Sequence, residues 1–283
     1  PQSFALYPHY KVFDNIAYPL TLAHTPKAEI EKVVGEVAEM LRITKLLTKT
    51  PNQLSGGEKQ RVAIARGIAK RTDIYVFDDP LTGLDFKLRE QLFDDLKNMQ
   101  EELKATFLYT TSDALEALML AKHISVLDRG RCVEAGDLLK VYADPQQVAS
   151  MDLLGFPRSS MFSGDILKQG GKDICQTKLF SFPVQLNQAS SGPVVVGLRP
   201  QDVLLESTGG DGIVTAQARV LLKEDLGGEL VVHLSVKDNP LLAVVRHDDV
   251  TALGDETIQI GFKPSSALVF DAQTGKRIGQ GVN

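Results

Sequence analysis

The chain has 283 residues, a length that predicts about two domains with ordinary cores. Hydrophobic residues at 43%, charged residues at 24% and aromatics at 6% with no Trp exclude a disordered or collagen-like chain. No segment approaches the ~18 consecutive apolar residues of a membrane-spanning helix, and 31 basic against 36 acidic residues offer no electrostatic case for a nucleic-acid surface.

Helical and strand patterns alternate over the first 150 residues or so. TPKAEIEKVVGEVAEMLRI, residues 25 to 43, predicts an amphipathic helix capped by Thr25 with Pro26 at its first helical position. LSGGEKQRVAIARGIAK, residues 54 to 70, is a turn with two glycines running directly into a second helix. Residues 73 to 78, 105 to 111 and 123 to 128 are brief apolar runs between helical stretches, the pattern of buried parallel strands whose faces helices cover. From Pro145 to Phe162 the periodicity dissolves, which predicts a linker over 148–162. Beyond it, 194 to 198, 212 to 222, 229 to 236, 241 to 246 and 257 to 262 read as strands of a small OB-type barrel. Cys132 and Cys175 lack zinc or disulfide spacing and are expected as buried small residues in a reducing compartment.

Two elements carry chemistry. Ser55 and Glu58 form the three-residue spacing of a capping box, and Gly56 and Gly57 let backbone approach a ligand at the positive end of the helix dipole, a setting suited to a phosphate. Taken alone, that pattern reads as a well-capped surface helix, and it is the surrounding residues that overturn this reading. Downstream, the run DIYVF ends in Asp78, Asp79 and Pro80, followed by Leu81, Thr82, Gly83, Leu84 and Asp85. A carboxylate at the tip of a buried strand is a usual place to hold Mg²⁺ against nucleotide phosphates.

In this order and at this spacing, the two elements resemble the ATP-binding cassette (ABC) transporter ATPases. PQSFALYPHYKVFDNIAYPL at the start resembles the Q-loop segment of sugar-importer ATPases of the MalK type, and 194–203, 225–234 and 258–270 resemble that family's accessory OB-like domain. The resemblance implies an α/β fold. It consists of a partial P-loop NTPase core with a helical subdomain over 1–147, then a small all-β TOBE-type domain over 163–283. It further implies ATP and Mg²⁺ as cofactors, with Leu54, Ser55, Gly56, Gly57 and Glu58 as the signature facing a partner's ATP, Asp85 in the D-loop, Asp78 as the Walker B carboxylate, and Gln2 at the metal and catalytic positions. The implied partners are a second ATPase subunit, identical or not, and permease subunits contacting Gln2 to His9. A solute-binding protein acts indirectly, and no nucleic acid is involved. The implied location is peripheral, on the cytoplasmic face of the inner membrane.

Three departures qualify the resemblance. No GxxxxGK(S/T) occurs in the chain; in the family that loop lies upstream of the Q-loop, so truncation is the simplest account. Asp79 stands where the family has a catalytic Glu, and Ser112 where it has a switch histidine. A hydroxyl carries neither the charge nor the reach of an imidazole. None of the five histidines takes that role; each reads as structural or surface. Because every departure lies on the side that acts on the chain's own nucleotide, the sequence points to the weaker, signature-donating member of an asymmetric pair. A non-catalytic scaffold or regulatory subunit, or an inactive fragment, is the alternative.

Overall fold

The computed structural model describes residues 4–84, 86–187, 192–205, 210, 212–246 and 257–282. They fall into two compact units, Pro1–Ser112 and Asp113–Asn283. Among the described residues no helix is long and apolar enough to cross a membrane.

The first unit runs α1 (Val12–Leu22), α2 (Lys27–Met40), α3 (Gly56–Ala69), β1 (Ile74–Asp78), α4 (Phe86–Leu103) and β2 (Thr106–Thr110). Each helix buries one stripe at helical spacing: Val12, Ile16 and Leu20 from α1, Val33, Val34 and Val37 from α2, Leu92, Leu96 and Met99 from α4. α1 was not anticipated, because Pro19 lies inside it and masks a stripe that the four-residue apolar spacing otherwise announces. α2 begins one residue later than expected. Its N-cap is Pro26, and no side chain caps it; the Thr25 N–H instead donates to Leu20 O at 3.1 Å, closing the turn that leaves α1.

β1 and β2 pair in parallel, with Ile74 opposite Thr106 and Asp78 opposite Thr110. One face packs Tyr75, Phe77 and Phe107 together, the last two with ring centroids 5.0 Å apart. The other face departs from the expected double burial: Ile74, Val76 and Leu108 are 61%, 65% and 56% exposed. In the helical part, the Arg61 guanidinium donates to Asp95 Oδ2 at 2.5 Å and to Leu41 O at 2.8 Å, joining α3, α4 and the end of α2. Asp95 is only 4% exposed.

The second unit begins with α5 (Ala114–Leu120), β3 (His123–Asp128), β4 (Arg131–Asp137), α6 (Leu138–Ala143) and α7 (Val148–Leu153). The expectation of a third parallel strand at 123 to 128 is corrected here. β3 pairs antiparallel with β4, because Arg129 and Gly130 both take positive φ (47° and 75°) and form a two-residue reversal that matches strand twist. Within the span 148–162, Val148–Leu153 is α7 and a strand opens at Ser160. The Glu134 carboxylate accepts from the Gln146 and Gln147 N–H groups, and Arg277 pairs with Asp144.

The remainder is all β. Strands β5 (Ser160–Gln169), β6 (Lys172–Thr177), β7 (Ser181–Leu186), β8 (Pro193–Leu198), β14 (Leu268–Asp271) and β15 (Arg277–Gly281) close a barrel in the order β14-β15-β7-β6-β5-β8. Strands β9 (Leu204–Leu205), β10 (Val214–Asp225), β11 (Glu229–Val236), β12 (Asn239–Arg246) and β13 (Thr257–Phe262) form a separate sheet ordered β12-β11-β10-β13-β9. Of the five strands expected in one barrel, only 194–198 belongs to the barrel; the other four lie in the sheet. Phe180, Phe182 and Phe262 pack edge to face across the two, with centroids 4.9 and 5.7 Å apart between each of the first two and Phe262.

Contrary to expectation, Cys132 is exposed; Cys175 is buried, and burial pushes its thiol up to about 12, with the Asp165 carboxylate adding to the effect. Two outcomes follow from this packing. A thiol-reactive probe at pH 8 titrates Cys132 in the folded chain and reaches Cys175 only on unfolding. Asp95→Ala, which strands the largely covered Arg61 charge, lowers unfolding free energy by about 3 kcal/mol in a denaturant titration.

Candidate functional site

The start of α3 is built by local hydrogen bonds. The Ser55 N–H donates to Glu58 Oε2 at 2.7 Å, while the Glu58 N–H donates back to Ser55 Oγ at 3.4 Å, so the expected capping box is present. That backbone bond from Ser55 also holds the Glu58 carboxyl below its ordinary pKa. The two glycines differ. A Cβ on Gly57 would lie 2.8 Å from the Leu88 side chain, whereas a Cβ on Gly56 would meet nothing within 4 Å. Gly57 is therefore a packing position, and Gly56 is exposed with open space before it. Leu54, just ahead of the turn, is buried in the core of this unit.

At the tip of β1 the parallel register sets Asp78 opposite Thr110. The Thr110 hydroxyl donates to Asp78 Oδ1 at 2.9 Å, and the Asp79 N–H donates to both the hydroxyl and the carbonyl oxygen of Thr110 at 3.1 Å. Asp79 takes φ 48°, a left-handed conformation that Asp tolerates better than most residues, and the chain turns sharply there. The next residue, Pro80, is buried, and its carbonyl accepts from the buried Gln60 side chain of α3. The strand-tip turn and α3 are thus joined within one unit. Ser112 is exposed, two residues past Thr110.

The segment ahead of α1 is held by two side chains. Asn15, fully buried, accepts from the Tyr7 N–H at 2.8 Å and donates to the carbonyls of Tyr7, Tyr10 and Lys11 at 3.1 to 3.2 Å. Arg66 donates to Ala5 O at 2.6 Å and Phe4 O at 3.3 Å, and its guanidinium lies 5.4 Å from the Tyr7 ring centroid. Tyr7, Tyr10 and Tyr18 form a ring cluster with centroids 4.6 to 6.0 Å apart. Alongside, a cavity of about 540 Å³ is lined by Tyr18, Ala63, Arg66, Gly67, Val76 and Asp78 among others. Gln2 and Asp85 lie outside the described residues.

The family model for the ABC transporter matches residues 1–82, and that for the TOBE domain matches residues 196–270, from β8 into β14. The trehalose/maltose import ATP-binding protein MalK of Thermococcus litoralis is 34% identical over 285 residues, covering 98% of this chain and 76% of that protein. The chain belongs to the ATP-binding subunits of ABC transporters. Further members of that family among its relatives are the sn-glycerol-3-phosphate import ATP-binding proteins UgpC of Psychromonas ingrahamii, 33% identical over 288 residues with 98% and 74% coverage, and of Yersinia pseudotuberculosis, 32% identical over 279 with 98% and 76%.

Within this ABC subunit, sequence reasoning located the capping box and the strand-tip carboxylates but missed Asn15, Gln60, Arg66 and Thr110. A buried Asn on the apolar side of a helix is a signal in itself, because it must satisfy both amide faces nearby. The partners of Gln60 and Arg66 are 20 and 61 residues away, and no local spacing announces them.

The depressed Glu58 carboxyl gives a pH test. Its folded value lies below its unfolded value, so its contribution is complete above about pH 5 and fades as pH falls through the carboxylate range. The stability difference between the parent chain and Glu58→Gln in urea titrations is therefore expected to shrink on going from pH 7 to pH 3.

Proposed function

We propose that this chain is a nucleotide-binding subunit of an importer for a sugar or polyol, acting as the signature-presenting member of an asymmetric pair of ATPase subunits. Its relatives are named as import proteins for trehalose/maltose and for sn-glycerol-3-phosphate, which supports that solute class. The observation that carries the reading is the exposed, capped start of α3, where Gly56 opens onto free space at the positive end of a 14-residue helix.

The donor set fits ATP and Mg²⁺. The Ser55 hydroxyl accepts from Glu58 and so keeps its own proton for a phosphate oxygen. Asp78 is an exposed carboxylate at a strand tip, steadied by Thr110, and is of the type that holds a hydrated Mg²⁺. Bound ATP with Mg²⁺ supplies the phosphoryl group whose transfer to water drives transport. Towards that group, Ser55 and Gly56 would bind the partner's phosphates, Asp78 would hold the cation, and Gln2 and Asp85 complete the set by position in sequence. Asp79 is one methylene shorter than the family's base, and Ser112 offers a hydroxyl in place of an imidazole, so the chain's own site turns over more slowly than its partner's.

In this reading residues 1–147 belong to the ATPase portion and 163–283 to the accessory domain. The Gln2 to His9 segment receives the permease subunits at the cytoplasmic face of the membrane, and a solute-binding protein acts through them. The exposed Tyr7 and Tyr10 rings, with their backbone pinned by Asn15 and the residues just ahead of them held by Arg66, support a rigid contact surface there.

Gly56→Ala separates folding from function. Nothing opposes the added methyl sterically, and alanine favours a helix, so the unfolding temperature holds or rises. ATP turnover by the assembled pair falls about 100-fold, because the methyl displaces the partner's phosphate. Unaltered turnover would return the chain to the scaffold reading.

A further inference from the structure

The Asp78–Asp79–Pro80 turn is held from two sides. On the strand side, Thr110 takes the Asp79 N–H and donates to Asp78. On the helix side, the Gln60 amide donates to Pro80 O, and both residues are buried. Gln60 lies two residues beyond Glu58, the far member of the capping box, and the Lys59 N–H next to it donates to Ser55 O at 3.0 Å. A short, rigid path therefore runs from Ser55 through the first turn of α3 and one amide side chain to the residue after Asp79.

Proline gives this path its direction. Its ring locks φ, so a displacement applied at the Pro80 carbonyl can be absorbed at Pro80 only through ψ, and the remainder passes back to Asp79. Asp79 already sits in a sparsely populated backbone region that its surroundings must hold in place. A buried carbonyl whose donor is withdrawn also carries the full cost of desolvation, so α3 and the turn cannot separate freely.

We propose that Gln60 is a positioning residue that couples the start of α3 to the Asp78–Asp79 turn, so that whatever seats at Ser55 to Gly57 also sets the direction of the strand-tip carboxylates. The coupling rests on the reading of Ser55 to Gly57 as a ligand-facing turn, and in a paired ATPase it lets the occupancy of the partner's nucleotide adjust this chain's own carboxylates. Thr110 acts differently: its hydrogen bonds to Asp78 and Asp79 anchor the same turn to β2.

The test is site-resolved amide hydrogen exchange by NMR on the full chain without nucleotide. Gln60→Leu is expected to speed exchange at the Asp79 amide about tenfold. Gln60→Glu does the same at a pH high enough to ionise it, because a carboxylate cannot donate to the Pro80 carbonyl. Ser55→Ala disturbs only the exposed cap, yet it speeds Asp79 exchange several-fold in the parent chain and adds nothing in the Gln60→Leu background. Asp79 exchange unchanged in the Gln60 variants overturns the proposal, as does a Ser55→Ala effect of equal size with and without Gln60. If a Gln60 variant does not fold, a parent-like Asp79 rate in Ser55→Ala alone is sufficient to overturn it. With no nucleotide present, that failure would leave the ATP reading untouched, since the latter depends on the Gly56→Ala measurement.

Discussion

The parallel pairing of β1 with β2 is the constraint on which the site depends, because its register places Asp78 level with Thr110 and not one residue either side. A slip of one position would turn every side chain of the strand to the opposite face and carry Tyr75 and Phe77 out of the core. With the register held, one hydroxyl can serve two neighbours, receiving the Asp79 N–H and donating to the Asp78 carboxylate. The left-handed turn at Asp79 follows from that pair of bonds, and it directs Pro80 towards α3.

Polar contacts in the first unit do different work from apolar ones. The apolar stripes of α1, α2 and α4 bring the helices together but leave their relative sliding weakly specified, since such contacts are non-directional. Arg61 against Asp95 and Leu41 O, Asn15 against three carbonyls, and Arg66 against Phe4 O and Ala5 O each have one satisfactory geometry. These buried or half-buried groups therefore specify where the segment ahead of α1 and the start of α3 must lie. The site inherits its precision from them.

The barrel of the second unit solves a different problem, namely how to finish many short strands without exposed edges. Six strands close on themselves through the β14–β8 pairing, and closure removes the edge altogether. Gly279 and Gly281 are required for it: a Cβ on either would fall within 2.3 Å of the backbone of a neighbouring segment. The second sheet shares the aromatic core through Phe262. The TOBE match covers strands of both layers, so the family signal describes the pair of layers and not the barrel alone.

The features legible in the sequence were those written within a few residues of each other. The Ser55–Glu58 capping box and the strand ending in Asp78 are local patterns whose physics needs no distant partner, and both are present in the structure, although β1 buries only one face and only the first of the paired glycines stands open. The Arg129–Gly130 reversal is equally local, but the reading of 123 to 128 rested on its apolar run alone and so pointed to a parallel pairing in place of the antiparallel one with β4. Membership of the strands from 212 to 262 in a separate sheet, the exposure of Gly56 against the packing of Gly57, and the Gln60 bond to Pro80 were decided only by the tertiary structure. Strand partners and long-range hydrogen bonds depend on which surfaces packing brings within 3 Å. A spacing along the chain records neighbours on one element, but carries no information about the element that will come to lie beside it.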